Sequence, residues 1–88
     1  MGEYERKARH ALERIEYFYN NAGPRGYSQA MHYYNELAKL LMGARHSKKN
    51  KGDAGIIASF REQADPLMKE MKNLQDEWEK QESEQKKE

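Results

Sequence analysis

The chain has 88 residues, 36% of them hydrophobic and 35% charged, with a formal net charge of +1 and no cysteine. This length holds one domain, since chains below about 100 residues do not support two cores. The charge balance excludes a global pull toward nucleic acid or membrane, and the missing cysteine excludes disulfides and thiolate chemistry, as suits a cytosolic protein. Threonine and valine are absent and isoleucine is scarce, while Ala, Leu, Met, Glu, Gln and Lys are plentiful. Strand formers are therefore lacking, and the apolar residues suffice only as narrow stripes on helices. No apolar run approaches the length of about 18 residues that a membrane span needs, and no leader pattern opens the chain, so a soluble cytoplasmic protein is expected.

From Glu3 onward, Tyr4, Ala8, Ala11, Ile15, Phe18 and Ala22 alternate at spacings of four and three, flanked by Leu12 and Tyr19. This pattern predicts a first helix. Glu3 with Lys7 and Glu5 with Arg9 are favourable i,i+4 pairs on its outer face. The helix stops at Asn20 or Asn21, because Gly23 can take the left-handed C′ conformation and Pro24 cannot continue the ladder. The short turn from Gly23 to Gly26 then forces an antiparallel second helix. Tyr17, Phe18 and Tyr19 should cover that corner with Tyr27, and Ser28 is the candidate N-cap. Along the second helix Ala30, Tyr33, Leu37, Leu40 and Ala44 form the stripe, widened by Tyr27, Tyr34, Ala38 and Leu41.

The stretch from Arg45 to Gly52 is the strongly polar loop, after which Asp53 can cap a third helix. Ile57, Phe60, Ala64, Leu67, Met71, Leu74 and Trp78 keep an unbroken three-four alternation. A competing start at Ser59, with Glu62 completing a capping box, would discard the first of these positions. Pro66 inside the pattern predicts either a kink near Glu62 to Pro66 or two helices in line. A helix from about Ala54 to Glu82 would be on the order of 40 Å long and overhang the bundle. The expected fold is all-α, an antiparallel three-helix bundle over residues 1–80 with a charged, fraying tail over 81–88. Trp78 either packs on the bundle rim or serves self-association.

Three surfaces are candidates for function. A groove between the second and third helices, lined by Tyr34, Leu41, Ala64, Asp65, Leu67 and Met71, would accept an amphipathic peptide helix, with methionine giving a compliant floor. The loop cations Arg45, Lys48, Lys49 and Lys51 concentrate positive charge as a nucleic-acid site would, but without interleaved aromatics to stack on bases. The third helix with Trp78 would alternatively build a coiled-coil homodimer. His10, His32 and His46 belong to no HExxH or E-x-x-H repeat, and no nucleophile elbow or glycine-rich phosphate loop occurs. No catalytic residue, metal or cofactor is therefore expected.

The glycine-containing turn followed by Tyr27, Ala30 and Tyr34, as Y-x-x-A-x-x-x-Y, resembles the second helix of microtubule-interacting and trafficking (MIT) domains. Gln63-Ala64-Asp65-Pro66-Leu67 is similar to that family's signature on its third helix. Tetratricopeptide repeats share the first motif, but no second copy of it occurs here. The resemblance covers roughly residues 8 to 74. It implies a single three-helix bundle acting as an adaptor for short peptide motifs, with Ala64, Asp65 and Leu67 facing the peptide.

Overall fold

A computed structural model describes residues 2–86, with side chains to residue 84. Three helices account for nearly all of it: α1 (Glu3–Asn21), α2 (Tyr27–His46) and α3 (Ala54–Lys86). Two 3₁₀ turns, Gly23–Gly26 and Lys51–Asp53, join them, and no strand occurs among the described residues. All three helices pack on one another, α2 antiparallel to its neighbours, in a rod with extents of 59 × 21 × 16 Å.

The first corner follows from Gly23 and Gly26. Gly23 has φ +56°, which a side chain would oppose, and the preceding Ala22 N–H closes α1 on the Phe18 carbonyl at 3.0 Å. Gly26 is needed for space, because a Cβ there would lie 2.8 Å from the Ala22 Cβ and 3.1 Å from the Phe18 carbonyl oxygen. The 3₁₀ turn runs directly into α2, so Gly26 occupies the N-cap position without a side-chain cap. Ser28, the expected cap, instead lies inside the first turn of the helix.

The second corner is tighter than its composition suggested. Arg45 and His46 belong to the last turn of α2, and the Ser47 hydroxyl accepts the Asn50 N–H at 3.2 Å to shape the turn. Asp53 ends the second 3₁₀ turn. Its carboxylate lies against Gly2, where an added Cβ would meet Oδ2 at 1.8 Å, and that oxygen is buried with no hydrogen-bond partner among the described residues. The charge therefore faces the positive end of the α1 dipole, in place of the expected role as cap of α3.

The core is built from Ala8, Ala11, Leu12 and Ile15 of α1, Ala30, Leu37, Leu40, Leu41 and Ala44 of α2, and Ile57, Phe60, Ala64, Met68 and Met71 of α3. The α3 set corrects the heptad reading. A straight helix turns about 100° per residue and drifts against a seven-residue repeat by about 20° per heptad. Met68 consequently replaces Leu67 at the centre of the buried face, while Leu74 and Trp78 remain 40% and 38% exposed. Trp78 does meet the rim, with the Arg25 guanidinium 5.7 Å from its ring.

Helix α3 is unbroken through Pro66, so the arrangement of two helices in line does not occur. The ring removes only the bond to the Glu62 carbonyl, and Pro66 and Glu62 are both exposed, where water can satisfy that oxygen. The helix is about 50 Å long at 1.5 Å per residue and continues past residue 80, so the proposed boundary between domain and tail is not marked in the backbone up to Lys86. Residues 87 and 88 of the expected tail lie outside the described residues.

Burial separates two residues that the periodicity treated alike. Met71→Ala should cost about 2–5 kcal/mol in urea unfolding followed by circular dichroism, and Leu74→Ala about 1 kcal/mol or less. Gly26→Ala should cost about 1–3 kcal/mol through overpacking alone.

Candidate functional site

The expected α2–α3 groove is largely consumed by the core. Ala64 and Met71 are fully buried and Leu41 is 4% exposed. What remains open is a notch of about 240 Å³ lined by Tyr34, Leu41, Arg45, Ala58, Arg61, Glu62 and Asp65. The structure thus brings Tyr34, Leu41 and Asp65 together as anticipated. Leu67 is half-buried and stands about 160° round α3 from Asp65 at about 100° per residue, on the flank nearer α1. Ala64, Asp65 and Leu67 accordingly share no single surface, and the six groove residues do not form one lining.

The notch is organised by polar contacts. The Tyr34 hydroxyl donates a hydrogen bond to Asp65, and the Arg61 guanidinium lies 5.4 Å from the Tyr34 ring centroid. Burial raises the Tyr34 pKa above its usual value, and the bond to Asp65 adds to the effect while Arg61 opposes it. Tyr19 makes the matching contact on the other side of α3, donating to Glu70, and that bond is the main reason its pKa is raised. Two tyrosines therefore tie the α3 flanks to α1 and α2. A small, polar notch closed in this way is a clasp between helices and a poor seat for an apolar peptide.

The four loop cations, Arg45, Lys48, Lys49 and Lys51, are all exposed. They lie at one end of the rod, two of them in the bend and one on each side of it. No aromatic ring interleaves with them in the chain, so they offer charge without a stacking platform.

Two features escaped the sequence reading. First, Arg14 sits over three rings, with its guanidinium carbon 4.8 Å from the Tyr17 centroid, 5.1 Å from Phe18 and 5.9 Å from Tyr33. Its spacing to Tyr17 and Phe18, three and four residues on, was the available signal. Second, His10 and His32 converge on Tyr33 from different helices, edge-on at 6.3 and 5.1 Å. They line an open cleft of about 450 Å³ between α1 and α2, with Arg6, Lys7 and Glu36 at its rim. Residues so far apart in the chain gave no joint signal. Among the described residues no group of three His, Asp or Glu side chains gathers as metal ligands, and no helix is long and apolar enough to cross a membrane.

The flank of α3 nearer α1 carries further apolar surface, besides exposed Tyr17 on α1 and Met42 on α2. Arg9 over the Phe60 ring at 5.1 Å and Tyr19 on Glu70 mark this as the α1 side. Ile56 and Leu74, about five whole turns apart, share one angular position, with Leu67 and Trp78 within about 40° of it. Ile56, Leu74 and Trp78 are each more than a third exposed.

Because the Tyr34 pKa is raised in the fold, its contribution is fully present below the ordinary tyrosine value of about 10 and is lost as pH rises through the raised value. Chemical denaturation from pH 8 to 11.5 should show stability falling above about pH 10, with a smaller fall in Tyr34→Phe. An unchanged profile in that variant would remove Tyr34 as the source. No family model matches the chain, and neither a curated protein nor a solved structure matches it.

Proposed function

We propose that the chain is a non-enzymatic protein-interaction module that engages a partner helix. The observation that supports this is the apolar line Ile56, Leu67, Leu74 and Trp78 along α3, which its own bundle leaves partly uncovered. An apolar line of this kind is suited to one half of a helix–helix contact. Tryptophan is also among the residues that give such contacts most of their energy. The contact surface is thus moved from the α2–α3 groove to the α1-side flank of α3. The mode of binding is the one that the MIT resemblance implies, at a different surface.

The second reading, nucleic-acid binding by Arg45, Lys48, Lys49 and Lys51, is supported by their joint exposure. It has no aromatic platform beside it, and salt-dependent phosphate contacts would be its sole source of affinity. A photo-crosslinking residue placed separately at positions 74, 39 and 49 of the full chain, in the cells that make it, distinguishes the two. Protein adducts from position 74, with none from the exposed position 39, are the expected outcome. Nucleic-acid adducts from position 49, with nothing from 74, would overturn the module reading.

A further inference from the structure

The rod is electrically polar along its length. At one end Arg45, Lys48, Lys49 and Lys51 place four positive charges within seven residues. Toward the other, Asp76, Glu77, Glu79, Glu82 and Glu84 outnumber Lys80 by four over residues 76–84, with Arg25 at the rim and Lys86 and Lys87 following in the sequence. Side chains 79–84 are all exposed, and the helix that carries them extends beyond the Arg25–Trp78 contact at the rim. A helical end of this kind has little packing of its own, and short helices without packing are marginal in water.

The apolar line runs between these two ends. Ile56 lies near the basic loop, Leu74 and Trp78 near the acidic end, and Leu67 midway between Ile56 and Trp78. If a second α3 is laid antiparallel on this flank with Leu67 opposite Leu67, then exposed Trp78 falls opposite exposed Ile56, while Leu74 comes to the level of Phe60, which is buried beneath Arg9. The same register carries residues 81–84 past Ala54, where the other copy's α3 begins, to the end of the rod that holds Lys49 and Lys51. One register therefore brings Trp78 to Ile56 and the acidic end to the basic end, and a two-fold axis repeats both contacts.

We propose that two copies of the chain pair antiparallel along the α1-side flank of α3, Leu67 on the two-fold axis and each acidic helix end against the other copy's basic loop. The inference rests on the interaction-module reading and names the partner as a second copy. Opposite charges at the two ends select the antiparallel arrangement, since a parallel pair would bring loop to loop and acid to acid. They also assign the four loop cations to a protein contact.

Light scattering and sedimentation equilibrium of the full chain, from micromolar to millimolar, measure this directly. A dimer is expected at low salt, weakened about tenfold or more in about 1 M salt, where charges are screened beyond about 3 Å. A loop variant (Lys48→Glu, Lys49→Glu, Lys51→Glu) and an end variant (Glu79→Lys, Glu82→Lys, Glu84→Lys) should each be monomeric alone at the same concentration, with helicity unchanged by circular dichroism. Mixed one to one, they should form a heterodimer, because each reversed patch then meets its opposite. Single-cysteine chains Lys51→Cys and Ser83→Cys, in a chain otherwise free of cysteine, should form a mixed disulfide more readily than either forms its own. A wild-type monomer at every concentration overturns the pairing, as does a dimer indifferent to both charge variants or a mixture that fails to reassociate. In each of those cases protein adducts from position 74 to a different polypeptide would still uphold the module reading, and their absence would remove it too.

Discussion

The close approach of three helices over alanine is the constraint on which the rest of the structure depends. Ala8, Ala30, Ala44 and Ala64 are fully buried, and Ala11 is 2% exposed. The largest fully buried side chains are only Ile15, Leu37, Ile57 and Met71. A chain so rich in charge has too little apolar volume for a wide core, so it brings backbones near and seals a thin one. Each buried alanine gives little transfer energy by itself, but it lets larger neighbours reach across the interface at contact distance. Among the described residues no polar or charged residue is buried in that seam, and its specificity comes from shape.

A thin core takes in the Phe60 ring but leaves the tyrosines at its edge. Tyrosines 19, 27, 33 and 34 are only partly buried and pack against the core from its edges. Each ring there has one apolar side to offer and a hydroxyl that wants a partner. The hydroxyls of Tyr19 and Tyr34 meet Glu70 and Asp65, and Arg14 and Arg61 lie over the rings. This polar collar holds α3 in register between its neighbours from both flanks. It also explains why the α2–α3 groove is closed: the groups that would greet a peptide there are already engaged with one another.

Part of what the collar leaves uncovered lies on α3, the longest element, the rest including Tyr17 on α1 and Met42 on α2. Helix α1 ends where Gly23 and Pro24 turn the chain and α2 where Ser47 takes extended backbone, whereas α3 runs on past the rim. Its heptad-like apolar spacing is regular enough to suit a coiled coil, yet inside a bundle of straight helices the stripe drifts away from the core. The part of the stripe that drifts out becomes surface. A single physical mismatch, 3.5 against 3.6 residues per turn, thus leaves Leu74 and Trp78 partly exposed at the end of the stripe.

Helix number, the α1 boundaries, the Gly23 corner, the i,i+4 pairs Glu3–Lys7 and Glu5–Arg9 and most core positions were legible from the chain alone. They depend on interactions within a few residues, such as periodicity, chain-reversing glycine and proline, and neighbouring charges. The tertiary structure decided what depends on how helices sit against one another. It placed Leu41, Ala64 and Met71 out of reach, sent Leu67 to the flank opposite Asp65, gathered His10 and His32 about Tyr33, and turned the Asp53 carboxylate toward the start of α1. Periodicity states that a residue belongs to the apolar face of its helix, but that face spans more than 100° of arc and a neighbouring helix covers only part of it. Which residues fall inside the covered part is set by crossing geometry and by the bulk of residues distant in the chain, and no local pattern records either.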